Sequence, residues 1–202
     1  MKESFKQYRI LNEDLIYDGF FRLKRLSLKH TLYEGGWSPE LDRELFQRGN
    51  CAALLPYDPI RDQVVLVEQF RVGALFDKPV PWLMEIVAGA IEPGERPADV
   101  AYREAREEAG CEVRDLILMS EFYTSPGASS EKLTLYCGRV DARSLGGIHG
   151  LQSEHEDIFV KVVDFDEAME KVKNGEIDSA IPIIALQWLG LNRDRVRETW
   201  CS

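Results

Sequence analysis

The chain has no paired cysteines. Cys51, Cys111, Cys137 and Cys201 are scattered, with no C-x-x-C among them. Zinc-site and dithiol-redox readings are therefore weak, and incidental or buried free thiols are the simpler account. No apolar run approaches the ~20 residues that span a membrane. The start, MKESFKQYRI, is polar and lacks the apolar core of a signal peptide, so a cytoplasmic protein is the expectation. There is no internal repeat and no low-complexity linker. Basic charge is in short supply: 25 Lys and Arg stand against 35 Asp and Glu, a formal net charge of −10. That balance argues against broad nucleic-acid or anionic-membrane binding. It leaves a phosphate-bearing ligand open, because local arginine or a bound metal reverses the field of a single site.

The 202 residues, 45% hydrophobic, suffice for one sizeable core with a small accessory domain. Residues 1–47 alternate apolar and polar groups: Phe21, Leu23, Leu26 and Leu28, then Leu32 and Tyr33, broken at Gly35-Gly36. This pattern predicts a small antiparallel β unit. The remainder, 48–202, predicts a larger domain. CAALLPYDP (51–59) reads as a strand ending in a turn, and QVVLVEQF (63–70) as a strong strand after it. WLMEIVAGAI (82–91) reads as another strand, running into Glu92-Pro93-Gly94. Pro97 suits the first turn of a helix over 97–109. Ala101, Ala105 and Ala109 give that helix a stripe of small side chains for close packing on a sheet. Further strands are predicted at 115–123, 132–140 and 158–164, then helices over 166–173 and from about 179 to 191. The mixture predicts an α+β fold, a mixed α/β sandwich.

The stretch REAREEAG (103–110) gathers acid where helix physics disfavours it. Glu104 and Glu108 are four apart with Glu107 beside them, and such like-charge pairs cost an isolated helix roughly 0.2–0.5 kcal/mol each. The run ends at Gly110, a typical residue just past a helix end, so the carboxylates crowd the negative pole of the dipole. A solvated acidic face would be the ordinary reading of a helix with a Glu-Glu pair. The wider segment, GAIEPGERPADVAYREAREEAGC (89–111), displaces it. Gly89, Glu95, Arg103-Glu104, Glu107-Glu108 and Gly110 form G-x5-E-x7-R-E-x-x-E-E-x-G. Seven specified residues would recur by chance in a chain of this length with odds on the order of 10⁻⁵. A strand, a loop and a helix that present several glutamates together suit hard cations such as Mg²⁺ or Mn²⁺. Glu95 can fold back to the same cluster, and Arg103, four residues before Glu107, is placed to hold a carboxylate.

That pattern resembles the signature of the Nudix hydrolases at every fixed polar and glycine position. The resemblance implies an α/β/α sandwich with a mixed sheet and Mg²⁺-dependent cleavage of a diphosphate linked to another moiety, with Mn²⁺ as a substitute. It also implies metal ligation by Glu104, Glu108 and the carbonyl of Ala88, with Gly89, Glu95, Arg103 and Glu107 in support. The pattern's apolar positions fall on Ala105 and Cys111, which are small for those places.

Further segments resemble the bacterial ADP-ribose pyrophosphatase branch of the family. Pro126, in Ser-Pro-Gly, lies fifteen residues past the box, and DGFFRL (18–23), RELFQRG (43–49), VEQFR (67–71) and GIHGLQSEHEDI (147–158) extend the likeness over most of the chain. By residue type alone Phe20 and Phe21 are core residues, Arg43, Glu44 and Arg48 surface charges, and Ser125-Pro126-Gly127 an exposed turn. The resemblance instead implies that Phe20 and Phe21 stack on an adenine across a homodimer interface, that Arg43, Glu44 and Arg48 reach the neighbouring subunit's ligand, and that Arg71, Ala90, Ser125, Pro126, Gly127 and Glu131 line the substrate site. Arg71 suits diphosphate because its planar fork binds two oxygens at once. SEHED (153–157) follows Gly146-Gly147 and Gly150, so a mobile loop is expected; an acidic loop tip is ordinarily only solvated. The resemblance makes Glu154 the general base and Glu156 a loop carboxylate able to meet metal, with His155 the competing base. The implied reaction is ADP-ribose plus water to AMP plus ribose 5-phosphate. Rival readings are another nucleoside diphosphate sugar or NADH as substrate, a non-catalytic ADP-ribose sensor, and RNA decapping, the last disfavoured by the acidic charge.

Overall fold

The structure, a computed structural model, describes residues 6–201. The polar start was read partly on Met1–Phe5, which lie outside the described residues. The chain divides into two compact units, one holding the chain up to Asn50 together with Tyr123–Lys132, the other Cys51–Phe122 with Leu133 onward.

The first unit is a three-stranded antiparallel sheet, ordered β1 (Tyr8–Asp18), β2 (Arg22–His30) and β3 (Leu41–Gln47). Every residue of β1 is exposed, among them Tyr8, Ile10, Leu11, Leu15, Ile16 and Tyr17. The segment 123–132 is tied to β3: Phe46 N–H donates to the Ala128 carbonyl at 2.7 Å, and Ser130 N–H donates to the Phe46 carbonyl at 3.2 Å.

The second unit is built on β4 (Cys51–Asp58), β5 (Gln63–Phe70), β6 (Trp82–Glu85), β7 (Val87–Ala90), β8 (Leu116–Tyr123), β9 (Lys132–Arg139), β10 (Gly147–His149) and β11 (Ile158–Asp164). Its sheet runs β10-β11-β5-β4-β9-β8, with β4 and β9 parallel. Alternation sorts β4 and β5 between two cores. Ala53, Leu55, Tyr57, Val64 and Leu66 pack with α2 (Phe165–Lys173) and α3 (Ala180–Cys201). Leu54, Val65 and Val67 pack with Ala101, Ala105 and Ala109 of α1 (Pro97–Ala109). Both faces of the sheet are covered, so β4 is buried throughout. None of the described helices is long and apolar enough to cross a membrane.

Two expectations change. The single strand over 82–91 is two strands: β6 pairs with β5 and β7 with β4. Near Asp58 and Gln63, β4 and β5 pair directly; farther along they part, and β6 and β7 fill the split. The last helix does not stop near Leu191 but runs to Cys201. Nothing in NRDRVRETWC breaks a helix, and Val196 and Trp200, four apart, continue its buried face.

Candidate active site

The box helix begins with Pro97 as its first residue, after the extended Arg96. It ends at Gly110, whose φ of 61° is left-handed; Gly110 N–H donates to the Arg106 carbonyl at 3.1 Å and Cys111 N–H to the Ala105 carbonyl at 2.8 Å. Glu108 is buried, 3% exposed, and accepts a 2.9 Å bond from Ala88 N–H. Burial, reinforced by Glu104 and Glu156, outweighs that bond and the charge of Arg71, so the Glu108 carboxyl is pushed up to about 8. Burial also raises the Glu104 carboxyl, with Glu107 and Glu156 adding to it against the pull of Arg103.

Gly89 is required by close approach. A Cβ there would lie 1.8 Å from Glu104 Oε1 and 2.2 Å from its Cδ. The missing side chain lets the Glu104 carboxylate rest against the backbone beside Ala88, while Ala90 is exposed at the end of β7.

Arg103 gathers the remaining box carboxylates. Its Nη1 donates to Glu104 Oε1 at 2.8 Å and Glu107 Oε2 at 2.9 Å, and its Nε lies 3.5 Å from Glu95 Oε1. Glu95 also accepts from Glu92 N–H at 2.9 Å, which closes the loop before the helix. Burial opposes the Arg103 charge, but the three carboxylates outweigh it and raise its pKa.

Among the described residues, no three His, Cys, Asp or Glu side chains are assembled as a metal site. The oxygens are held by Arg103 and Ala88 N–H instead. The donor set still fits a hard divalent cation: Glu104 in the space left by Gly89, the buried Glu108, and the backbone of Ala88 between them.

The loop after β10 meets α1. Gly150 N–H donates to the Glu107 carbonyl at 3.2 Å, and the His149 ring stands where a Cβ on Gly110 would be, 2.7 Å away. Glu156 Oε2 accepts from Leu151 N–H at 3.1 Å, and its charge reaches both Glu104 and Glu108. Glu154 sits on a short 3-10 turn, Gln152–Glu154, followed by His155 at a φ of 57°. Both side chains are exposed, and among the described residues that of Glu154 makes no hydrogen bond or ion pair. Arg71 Nε donates to Glu85 Oε2 at 2.5 Å.

Within the first unit, several sequence-predicted residues meet. Arg48 lies 3.1 Å from Glu131 Oε1 and 5.8 Å from the centre of the Phe21 ring. Phe21 packs edge-on against Phe20 at 4.7 Å and Phe46 at 5.1 Å. Glu131 is buried and also accepts from Thr124 Oγ1 at 2.7 Å. Phe20 is 94% exposed, which removes the core reading for it. Ser125, Pro126 and Gly127 form an exposed turn in which Ser129 N–H donates to the Ser125 carbonyl at 2.9 Å. Arg43 and Glu44 are exposed on β3, and Arg43 donates to the Asp42 carbonyl. The sequence reading singled out neither Thr124 nor Phe46, whose contacts with Glu131 and Phe21 appear only in the fold.

A helix that ends in buried and arginine-held carboxylates, against a strand whose glycine makes room for one of them, gives oxygen donors of the kind that suit a hard divalent cation. The chain belongs to the Nudix family: residues 48–185 match the NUDIX domain model. It is 47% identical over 191 residues to an ADP-ribose pyrophosphatase of Escherichia coli strain K12, covering 95% of this chain and 91% of that one. It is 44% identical over 200 residues to an ADP-ribose pyrophosphatase of Haemophilus influenzae, covering 98% and 92%. The fold matches a crystal structure described as an ADP compounds hydrolase with a TM-score of 0.72, at 19% identity, over 96% of this chain and 99% of that one.

Proposed function

We propose that this protein hydrolyses the diphosphate of ADP-ribose to AMP and ribose 5-phosphate with Mg²⁺, which Mn²⁺ can replace. The observation that carries the reading is the strand–loop–helix in which Glu108 is buried on Ala88 N–H and Glu104 fills the space left by Gly89. Glu104, Glu108, the Ala88 carbonyl and Glu156 would hold the cation. Bound there, it supplies neutralising charge for the diphosphate oxygens and acidifies water. Arg103 sets the box carboxylates before it binds, and Glu95 and Glu107 keep Arg103 in place. Glu154, on an exposed turn two residues from Glu156, takes the proton of the attacking water. Arg71 steers the diphosphate, since a guanidinium fork binds two of its oxygens at once. Ser125, Pro126, Gly127 and Glu131 line the ribose side, and Ala90 is a further substrate-binding residue.

We further propose a cytoplasmic homodimer, a compartment in which the four free cysteines stay reduced. The three-stranded unit exposes the whole of β1 and its apolar side chains, which supports this reading because such a face calls for a partner. Phe20, Phe21, Arg43, Glu44 and Arg48 would then serve the partner's adenosine. A substrate panel tests the function: ADP-ribose, GDP-mannose and NADH, each with Mg²⁺ and with Mn²⁺. ADP-ribose should give the highest kcat/KM. Equal or slower cleavage of ADP-ribose would overturn the substrate assignment, and binding without turnover would make the protein a sensor.

A further inference from the structure

Gln69 lies one residue before the end of β5. Val65 and Val67 face α1 in the core beneath the box, and Gln69 continues their row. It pairs with Leu83 of β6. On the other side, Val160 pairs with Val67 and Phe159 with Glu68, so the register carries Ile158 opposite Gln69, two residues after Glu156. Arg71, next but one along the chain, is near enough to act on Glu108. Gln69 is 8% exposed, and its Nε2 is buried without a hydrogen-bond partner among the described residues.

A buried amide donor with no acceptor is costly, and a leucine or methionine would extend this apolar row without that cost. The nearby carboxylates already have donors. Glu108 accepts from Ala88 N–H, Glu156 from Leu151 N–H, Glu104 and Glu107 from Arg103, and Glu85 from Arg71. An incoming diphosphate brings oxygens that have none. A neutral amide also suits this place, because it can hold a phosphate oxygen without neutralising the carboxylates that a cation needs.

We infer that Gln69 is a substrate-binding residue: its Nε2, closed to solvent where it stands, turns about the outer side-chain torsions to donate to a non-bridging oxygen of the diphosphate. This rests on the hydrolase reading above. The test uses full-length Gln69→Met and Gln69→Leu, which remove the donor while keeping the volume. Three quantities are measured: the ligand-free melting temperature, Mn²⁺ affinity by calorimetry, and the affinity for α,β-methylene ADP-ribose with Mn²⁺ present. A melting temperature equal to or above wild type, unchanged Mn²⁺ affinity and analogue binding weakened about 10–100-fold are expected, the loss of a hydrogen bond to a charged group. Wild-type analogue affinity in a variant that stays folded would overturn the inference. So would a loss confined to Mn²⁺ affinity, which would put the amide on the cation's water, or a fall in melting temperature of both variants with wild-type kcat/KM, which would make the residue structural. Failure of the hydrolase reading itself would appear in the wild type, as absence of analogue binding and of turnover.

Discussion

Replacing Glu108 by glutamine should stabilise the metal-free protein, and the gain should grow with pH. The carboxyl is 3% exposed and is pushed up to about 8 by burial with Glu104 and Glu156 beside it. A carboxyl whose folded pKa lies above its unfolded value favours the folded state at low pH and loses that contribution as pH rises through the folded pKa. In the wild type, stability therefore falls at about 1.4 kcal/mol per pH unit from near pH 4.5 to near pH 8, then levels. Glutamine cannot ionise, and its carbonyl still accepts from Ala88 N–H. Its NH₂ faces the field of Glu104 and Glu156, which favours a donor. Between pH 5 and pH 8 the variant should gain about 3–4 kcal/mol on the wild type, or roughly 6–16 °C in melting temperature for a chain of this size. Thermal unfolding in chelator across that pH range reads it directly. Saturating Mg²⁺ should narrow that gap: at a hundred times Kd the wild type gains about 2.7 kcal/mol that the variant largely forgoes. A melting-temperature gap that stays constant from pH 5 to pH 8 would refute the assignment of the buried charge to Glu108.

Gly89→Ala should fold normally, because the conflicting atom is the movable end of Glu104, yet lower Mn²⁺ affinity by about 10–100-fold, measured by calorimetry. Glu154→Gln should lower kcat by about 10²–10⁴ with analogue affinity nearly intact; near-normal turnover would shift the base to Glu156, His155 or a box carboxylate. Leu15→Lys, in the exposed β1, should move the protein from dimer to monomer in sedimentation without unfolding the second unit.

The parts legible in the sequence were those fixed locally. The box helix begins at Pro97 and ends at Gly110, as read, because proline and glycine set those ends through their own backbone. β5 was legible because alternation and flanking turns coincide at 63 and 70. The break at Ile86 was not legible: WLMEIVAGAI is apolar throughout, and only the choice of partner, β5 then β4, divides it. The helix runs on past Leu191 because Val196 and Trp200 meet the core, a contact that the mostly polar run NRDRVRETWC does not announce. Gln69 was invisible for the same reason as the break at Ile86. Its burial depends on what β6 and β11 bring beside it.

The carboxylates crowded at the end of α1 are tolerable because one arginine serves three of them. Arg103 carries a single positive charge against Glu95, Glu104 and Glu107, so the group keeps a net negative charge of two. Glu108 stands apart from that arginine on Ala88 N–H, where burial keeps it protonated near neutral pH. A cation drawn to this field must therefore take Glu104 from Arg103 and a proton from Glu108. Cation affinity should rise with pH until Glu108 is ionised, near pH 8, and release of about one proton per bound cation at pH 7 would be visible as a buffer-dependent heat. Binding heats that are the same in buffers of different ionisation enthalpy would show that Glu108 is already charged, and that Arg103 alone governs the exchange.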